Sequence, residues 1–174
     1  FGFVPGQWLS VKASTPEGEE ITRAYSMASP PANGHFAFCL NRVQDGFMSN
    51  YLCDLDEGAE IFFHGPFGDF ILRPPLRDTI FIATGTGIAP FRSMLQALFE
   101  SDDQRPGGRA GTPVAPPEQQ FWLLFGARYE QDIYYREEFE RLADEHSNFH
   151  FLPTLSRATP DWTGLRRYVQ EHIK

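Results

Sequence analysis

The 174-residue chain is 41% hydrophobic and 22% charged, enough apolar side chain for a buried core and too little charge for a disordered chain. A formal net charge of −8 argues against nucleic acid and anionic membrane as partners, because both reward clustered Lys and Arg. Two cysteines, Cys39 and Cys53, without C-x-x-C spacing, and five scattered histidines offer neither a disulfide framework nor a metal site. No apolar run reaches membrane-spanning length, and no basic start followed by an apolar core marks a signal peptide, so the expected setting is the cytoplasm with no membrane span.

The first seventy or so residues alternate with a period of two. Gln7–Ser14, Ile21–Ala28, His35–Val43 and Glu60–His64 each read as strands, separated by turn chemistry at Thr15-Pro16-Glu17-Gly18, Pro30-Pro31-Ala32-Asn33-Gly34 and Glu57-Gly58. Short strands so spaced predict a small antiparallel β-barrel. Between the third and fourth, Ser49–Leu55 reads as one or two helical turns.

Past Pro66, Pro74 and Pro75 the pattern becomes an alternation of strands and helices. Strands are expected at Thr79–Ala83, Phe121–Phe125 and Phe149–Leu155. Helices are expected from the glycine turn to about Glu100, at Ile133–Glu145 and at about Leu165–Ile173. Such alternation predicts a parallel-sheet α/β domain. The division falls at Pro74 and Pro75, giving domains 1–74 and 75–174. Residues 101–120, rich in Gly, Pro and charge, read as a flexible surface insertion.

Three segments carry candidate chemistry. In Thr84-Gly85-Thr86-Gly87-Ile88-Ala89-Pro90, two glycines clear the approach to a helix start whose free N–H groups and positive dipole end favour an anion such as pyrophosphate. A bare strand-to-helix turn fits this stretch equally well on its own, and Pro90 stands where a dinucleotide fingerprint has its third glycine. In Arg23-Ala24-Tyr25-Ser26, Arg23 and Tyr25 share one strand face, where a guanidinium can hold phosphate and a phenol can stack on a flat ring. In Gly46-Phe47-Met48-Ser49, Gly46 admits close backbone approach and Ser49 is placed to cap a helix.

The ordered set Arg23-x-Tyr25-Ser26, Gly46-x-x-Ser49, Gly65-Pro66-Phe67-Gly68 and Gly85-Thr86-Gly87-Ile88-Ala89-Pro90 resembles the ferredoxin–NADP⁺ reductase family of flavoenzymes over nearly the whole chain. The resemblance implies a flavin-binding barrel followed by a nicotinamide-nucleotide domain. It places Arg23 on the flavin pyrophosphate, with Ala24 beside it, Tyr25 on the isoalloxazine and Ser26 near the flavin N5, the last two being the catalytic pair. Strict alternation would turn Ser26 away from Tyr25, so the strand must bend or end there. The backbone of Gly46, Phe47, Met48 and Ser49 would hold the flavin phosphates. Thr84, Gly85, Thr86, Gly87 and Pro90 would receive the nucleotide.

Cations rather than an acid follow the later strands, at Arg128 and at Ser156-Arg157, which favours a 2′-phosphate over a free ribose hydroxyl. Ser156, Arg157, Arg166 and Tyr168 also keep the spacing with which NADP-specific members hold the 2′-phosphate and the adenine. The expectation is therefore a flavin oxidoreductase, with FAD or FMN, that passes hydride from NADPH in preference to NADH and then electrons to a protein acceptor such as a ferredoxin, a flavodoxin or an oxygenase component. A flavin-bearing electron-transfer or regulatory subunit without its own nucleotide turnover is the alternative. Against the family pattern, the chain opens at the approach to the second barrel strand and stops after the third α/β strand and its helix. A piece lacking the first strand and the later part of the nucleotide domain is expected.

Overall fold

The computed structural model describes residues 1–31, 34–99 and 115–173, which form an antiparallel sheet followed by a parallel one. The first sheet contains β1 (Trp8–Ser14), β2 (Glu20–Ser26) and β3 (Phe62–Phe67), in the order β2-β1-β3. The second contains β4 (Thr79–Thr84), β5 (Phe121–Ala127), β6 (Phe149–Leu155) and β7 (Leu165–Arg166), in the order β4-β5-β6-β7. Among the described residues the α-helices are α1 (Phe47–Cys53), α2 (Ala89–Phe99) and α3 (Arg136–Glu145). This is the antiparallel-then-α/β class expected from the patterning.

β1 shows why its half reads so clearly. Leu9 and Val11 are fully buried and Ala13 nearly so, while the intervening residues stay partly open, as a strand with one covered face requires. β5 is the opposite case. Flanked by parallel partners, it is apolar almost throughout, with Phe121, Leu123 and Phe125 fully buried. α2 buries Leu95 and Leu98 against this sheet, and α3 buries Phe139 and Leu142.

Two expected elements are replaced. His35–Val43 is not a strand. Phe38 forms an isolated bridge with Met27, and Phe36 and Phe38 turn into aromatic contact with Phe63 and Tyr25 respectively. The polar groups beyond are taken by α1: the Ser49 hydroxyl accepts from Val43 N–H (3.1 Å), and Asn50 Nδ2 donates to the Val43 carbonyl (3.0 Å). Side chains thus do here what a neighbouring strand would do in a ladder.

Leu165–Ile173 is not a helix either. It adds two residues to β6 and ends in a 3₁₀ turn at Val169–Glu171. Arg167 has φ +96°, outside any right-handed helix, and its carbonyl accepts from the fully buried Thr154 hydroxyl (2.9 Å). α3 also begins at Arg136 rather than Ile133, after a 3₁₀ turn at Glu130–Asp132. Of the expected insertion, residues 101–114 lie outside the described residues. Residues 115–120 are tied down: Ala115 N–H donates to the Leu98 carbonyl (3.0 Å), and Asn148 Nδ2 donates to Pro116 and Gln119 carbonyls. Among the described residues, no helix is long and apolar enough to cross a membrane.

Candidate functional site: two adjoining cavities

The parallel strands β4, β5 and β6 end side by side at Thr84, Ala127 and Leu155, and a crevice opens beyond those ends, where open α/β sheets take ligands. Gly85 turns the chain with φ +52°, a 3₁₀ turn runs over Gly85–Ile88, and α2 starts at Ala89. Pro90 sits in the first turn of α2, where its missing N–H has no intrahelical partner to lose. A side-chain carbon built on Gly85 or Gly87 meets no other atom within 4 Å, so both glycines face open space.

That space is a cavity of about 640 Å³, walled by the Thr84–Thr86 turn, by Gly126–Arg128 after β5, and by Ser156 and Tyr168. A second cavity of about 360 Å³ lies between Ala24–Ser26 of β2 and the Thr86–Pro90 segment, with Cys39 and Ser49 also on its wall. Asn41 and Thr86 line both, so the two cavities adjoin.

Tyr25 and Ser26, the last two residues of β2, line the smaller cavity together with Ala24. Tyr25 is half-buried, its ring 5.4 Å from that of Phe38, and burial pushes its hydroxyl pKa up, with nearby Arg23 opposing. Arg23 is exposed. It opposes Val11 as Tyr25 opposes Leu9, so the two share a face, and its Nη1 donates to the Thr22 carbonyl (2.8 Å).

At α1 the cap is Gly46, not Ser49. The Ser49 hydroxyl donates back to the Gly46 carbonyl (3.1 Å) instead of receiving a helix N–H. The helical ladder begins with Asn50 N–H on the Gly46 carbonyl (3.2 Å), so the N–H groups of Phe47, Met48 and Ser49 precede it, as at any helix start. Arg42 braces this turn, donating to both carboxylate oxygens of Asp54 (2.6 and 3.1 Å) and to Asn50 Oδ1 (2.9 Å). Hydrogen bonding from Arg42 holds the Asp54 carboxyl below its ordinary range.

Around the larger cavity, Arg128, Ser156 and Tyr168 lie on the wall, while Arg157 and Arg166 lie outside it. Arg157 Nη1 donates to the Tyr129 hydroxyl (3.3 Å), and Arg166 Nη2 donates to the Thr159 and Pro160 carbonyls (3.0 and 3.1 Å). Arg167 also lines the cavity, and the Arg166-Arg167 doublet is its only signal in the sequence. In a chain of net charge −8, two arginines, Arg128 and Arg167, thus line one cavity beyond the strand ends. Among the described residues, no group of three or more His, Cys, Asp or Glu is placed to hold a metal ion.

The described geometry fits a flavin and a pyridine nucleotide in adjacent sites: a half-exposed phenol beside a serine, helix-start N–H groups, and a glycine turn with open space above it. An oxidoreductase FAD-binding domain model matches residues 1–71 and an oxidoreductase NAD-binding domain model matches residues 81–174. The chain is 41% identical to ferredoxin–NADP reductase B of Sorangium cellulosum, over 99% of its own length and 66% of that protein. It is 34% identical to the 2-halobenzoate 1,2-dioxygenase electron transfer component of Burkholderia cepacia, over 98% of its length and 46% of that protein. The solved ferredoxin–NADP⁺ reductase from Plasmodium falciparum shares its fold, with a TM-score of 0.76 at 23% identity over 99% of this chain and 66% of that one. The chain spans about half to two thirds of the length of these relatives.

Proposed function

Because this chain belongs to the ferredoxin–NADP⁺ reductase-like family of FAD- and NAD-binding oxidoreductases, we propose that it is the flavin- and nucleotide-binding part of an NAD(P)H-dependent reductase that serves a protein electron acceptor. The observation that carries this reading is the adjoining pair of cavities, with Tyr25 and Ser26 on one wall and the Thr86–Pro90 segment on the other. A flavin bound in the smaller cavity supplies hydride acceptance from a reduced nicotinamide and one-electron release afterwards.

The chain's own residues then have positioning work. Tyr25 offers a ring face for a flat heterocycle, Ser26 a hydroxyl beside it, and Arg23 a guanidinium for a phosphate. Ala24 lines the same cavity, and past Gly46, whose own N–H is taken by the Val43 carbonyl, Phe47, Met48 and Ser49 supply backbone donors. Across the seam, Thr84, Gly85, Thr86, Gly87 and Pro90 hold the nucleotide at the α2 start, where developing negative charge is favoured. Hydride chemistry of this kind would ask no side chain to act as acid or base, so the share of these residues would be alignment.

Arg128, Ser156 and Tyr168 line the larger cavity, Arg157 and Arg166 stand beyond its wall next to Ser156 and Arg167, and this run of cations after the strand ends supports NADPH over NADH. For Arg157→Ala, NADPH affinity is expected to fall about tenfold and NADH affinity less than about twofold, the size of one charge-assisted contact to phosphate. Titration of both nucleotides checks it, and equal losses for both end the 2′-phosphate assignment. The relatives, one a ferredoxin–NADP reductase and one a dioxygenase electron transfer component, support a small redox protein or an oxygenase component as acceptor.

A further inference from the structure

The two walls of the smaller cavity belong to different halves of the chain, and the fully buried apolar clusters do not cross between them. One cluster draws its buried members from Phe81 to Trp162, the others from Phe3 to Met48. The angle between the walls therefore depends on a few contacts along the seam, and these converge on the first half of α2.

We propose that Arg92 is a positioning residue that fixes the β2 wall against the glycine-turn wall, and so sets how closely a flavin and a nicotinamide approach each other. The proposal rests on the function proposed above. Arg92 follows Ala89 and Pro90, which line the cavity, by one turn or less, and its side chain is only 15% exposed. Its Nη1 donates to the carbonyl of Ala28 (2.8 Å), two residues beyond Ser26. Ala28 is fully buried and its own N–H is held by the Ala37 carbonyl (2.7 Å), so that carbonyl is a fixed anchor.

The remaining donors lock the guanidinium from the other side. Nε and Nη2 both donate to Oε2 of Glu138 on α3 (2.9 and 2.7 Å), whose Oε1 accepts from Gln96 Nε2 (3.0 Å). The guanidinium carbon lies 4.3 Å from the centroid of the Tyr135 ring. Tyr135 neighbours Cys39, which lines the same cavity, and burial, reinforced by Cys39, pushes the Tyr135 hydroxyl pKa well up. Next along α2, Ser93 Oγ donates to the Ser29 carbonyl (2.7 Å), and Met94 packs so closely on Gly6 that a side-chain carbon there would lie 2.4 Å from Met94 Cε.

Only a planar fork of donors can serve Ala28, Glu138 and Tyr135 at once. Lysine, a point charge, can keep one hydrogen-bonded partner and must release another. A small shift of the walls is enough to matter, since hydride transfer depends steeply on the separation of the reacting atoms.

The test compares Arg92→Lys, Glu138→Gln and Ser93→Ala in the flavin-loaded protein. In Arg92→Lys the limiting rate of flavin reduction by NADPH is expected to fall about tenfold or more, and the long-wavelength absorbance of the nicotinamide–flavin contact to weaken. FAD and nucleotide affinities should stay within about twofold, because Arg92 touches neither site. Glu138→Gln, which keeps the Ala28 contact, should lose less than about threefold in rate. Hydrogen exchange of residues 26–30, measured on the flavin-free protein, should quicken in Arg92→Lys.

A wild-type rate and contact band in Arg92→Lys overturn the proposal, and so does a loss of rate that merely follows a loss of flavin. Should Arg92→Lys fail to fold, Ser93→Ala, which cuts the neighbouring seam contact, must show the same split of rate from affinity; its absence overturns the proposal. Should the wild-type protein take up no flavin, the proposed function fails separately, and unchanged exchange at residues 26–30 in Arg92→Lys then refutes the seam role by itself.

Discussion

Gly87→Val is expected to lower nicotinamide-nucleotide affinity by at least about a hundredfold while the protein stays folded, the effect of filling a site rather than breaking a structure. Gly87 has no positive φ and a carbon placed on it meets nothing within 4 Å. Valine there costs the fold less than about 1 kcal/mol, in the range of surface substitutions and modest propensity changes. Its methyl groups occupy the space over the α2 start that a phosphate must enter to reach the backbone N–H groups. Calorimetric titration with NADPH and a urea midpoint together check it. Undiminished affinity would place the nucleotide elsewhere. Two neighbouring glycines make poorer probes: Gly85 sits at φ +52°, and a side chain on Gly126 would lie 2.7 Å from Val169 Cγ1 and 3.0 Å from Thr84 Cγ2.

Arg23→Ala is the second large expectation. Arg23 stands exposed on β2, an outer strand of the three-stranded sheet, and its guanidinium donates to the carbonyl of its own neighbour Thr22, so truncation removes little from the fold. On the proposed reading it removes a charge-assisted contact to a flavin phosphate, about 1.5–3 kcal/mol or roughly 10- to 100-fold in flavin affinity. Arg23→Lys should retain part of it, a point charge without the fork. Flavin retained on gel filtration reads the result. Full retention by Arg23→Ala removes this residue from the site.

What could be read in the sequence follows physical lines. The fold class was legible because β1 obeys a period of two and β5 is apolar throughout, patterns set by how many faces of a strand are covered. His35–Val43 misled because Phe36, Phe38 and Leu40 alternate as a strand would, yet alternation cannot say whether backbone partners come from another strand or from the side chains of α1. Leu165–Ile173 misled because local spacing says nothing of Thr154, whose buried hydroxyl takes the Arg167 carbonyl. The motif residues around the two cavities were legible through backbone chemistry: glycines, a helix start, a charge beside a ring. Arg92 was not, since its partners Glu138 and Ala28 lie 46 and 64 residues away. Arg167 was hidden by the helix expected around it.

The most direct measurement is the visible absorbance of the FAD- or FMN-loaded protein after anaerobic mixing with NADPH and, separately, NADH. Bleaching of the flavin by a reduced nucleotide, faster at equal concentration with NADPH, is the expected result. A protein that takes up neither flavin, or a bound flavin that both nucleotides leave oxidised, contradicts it.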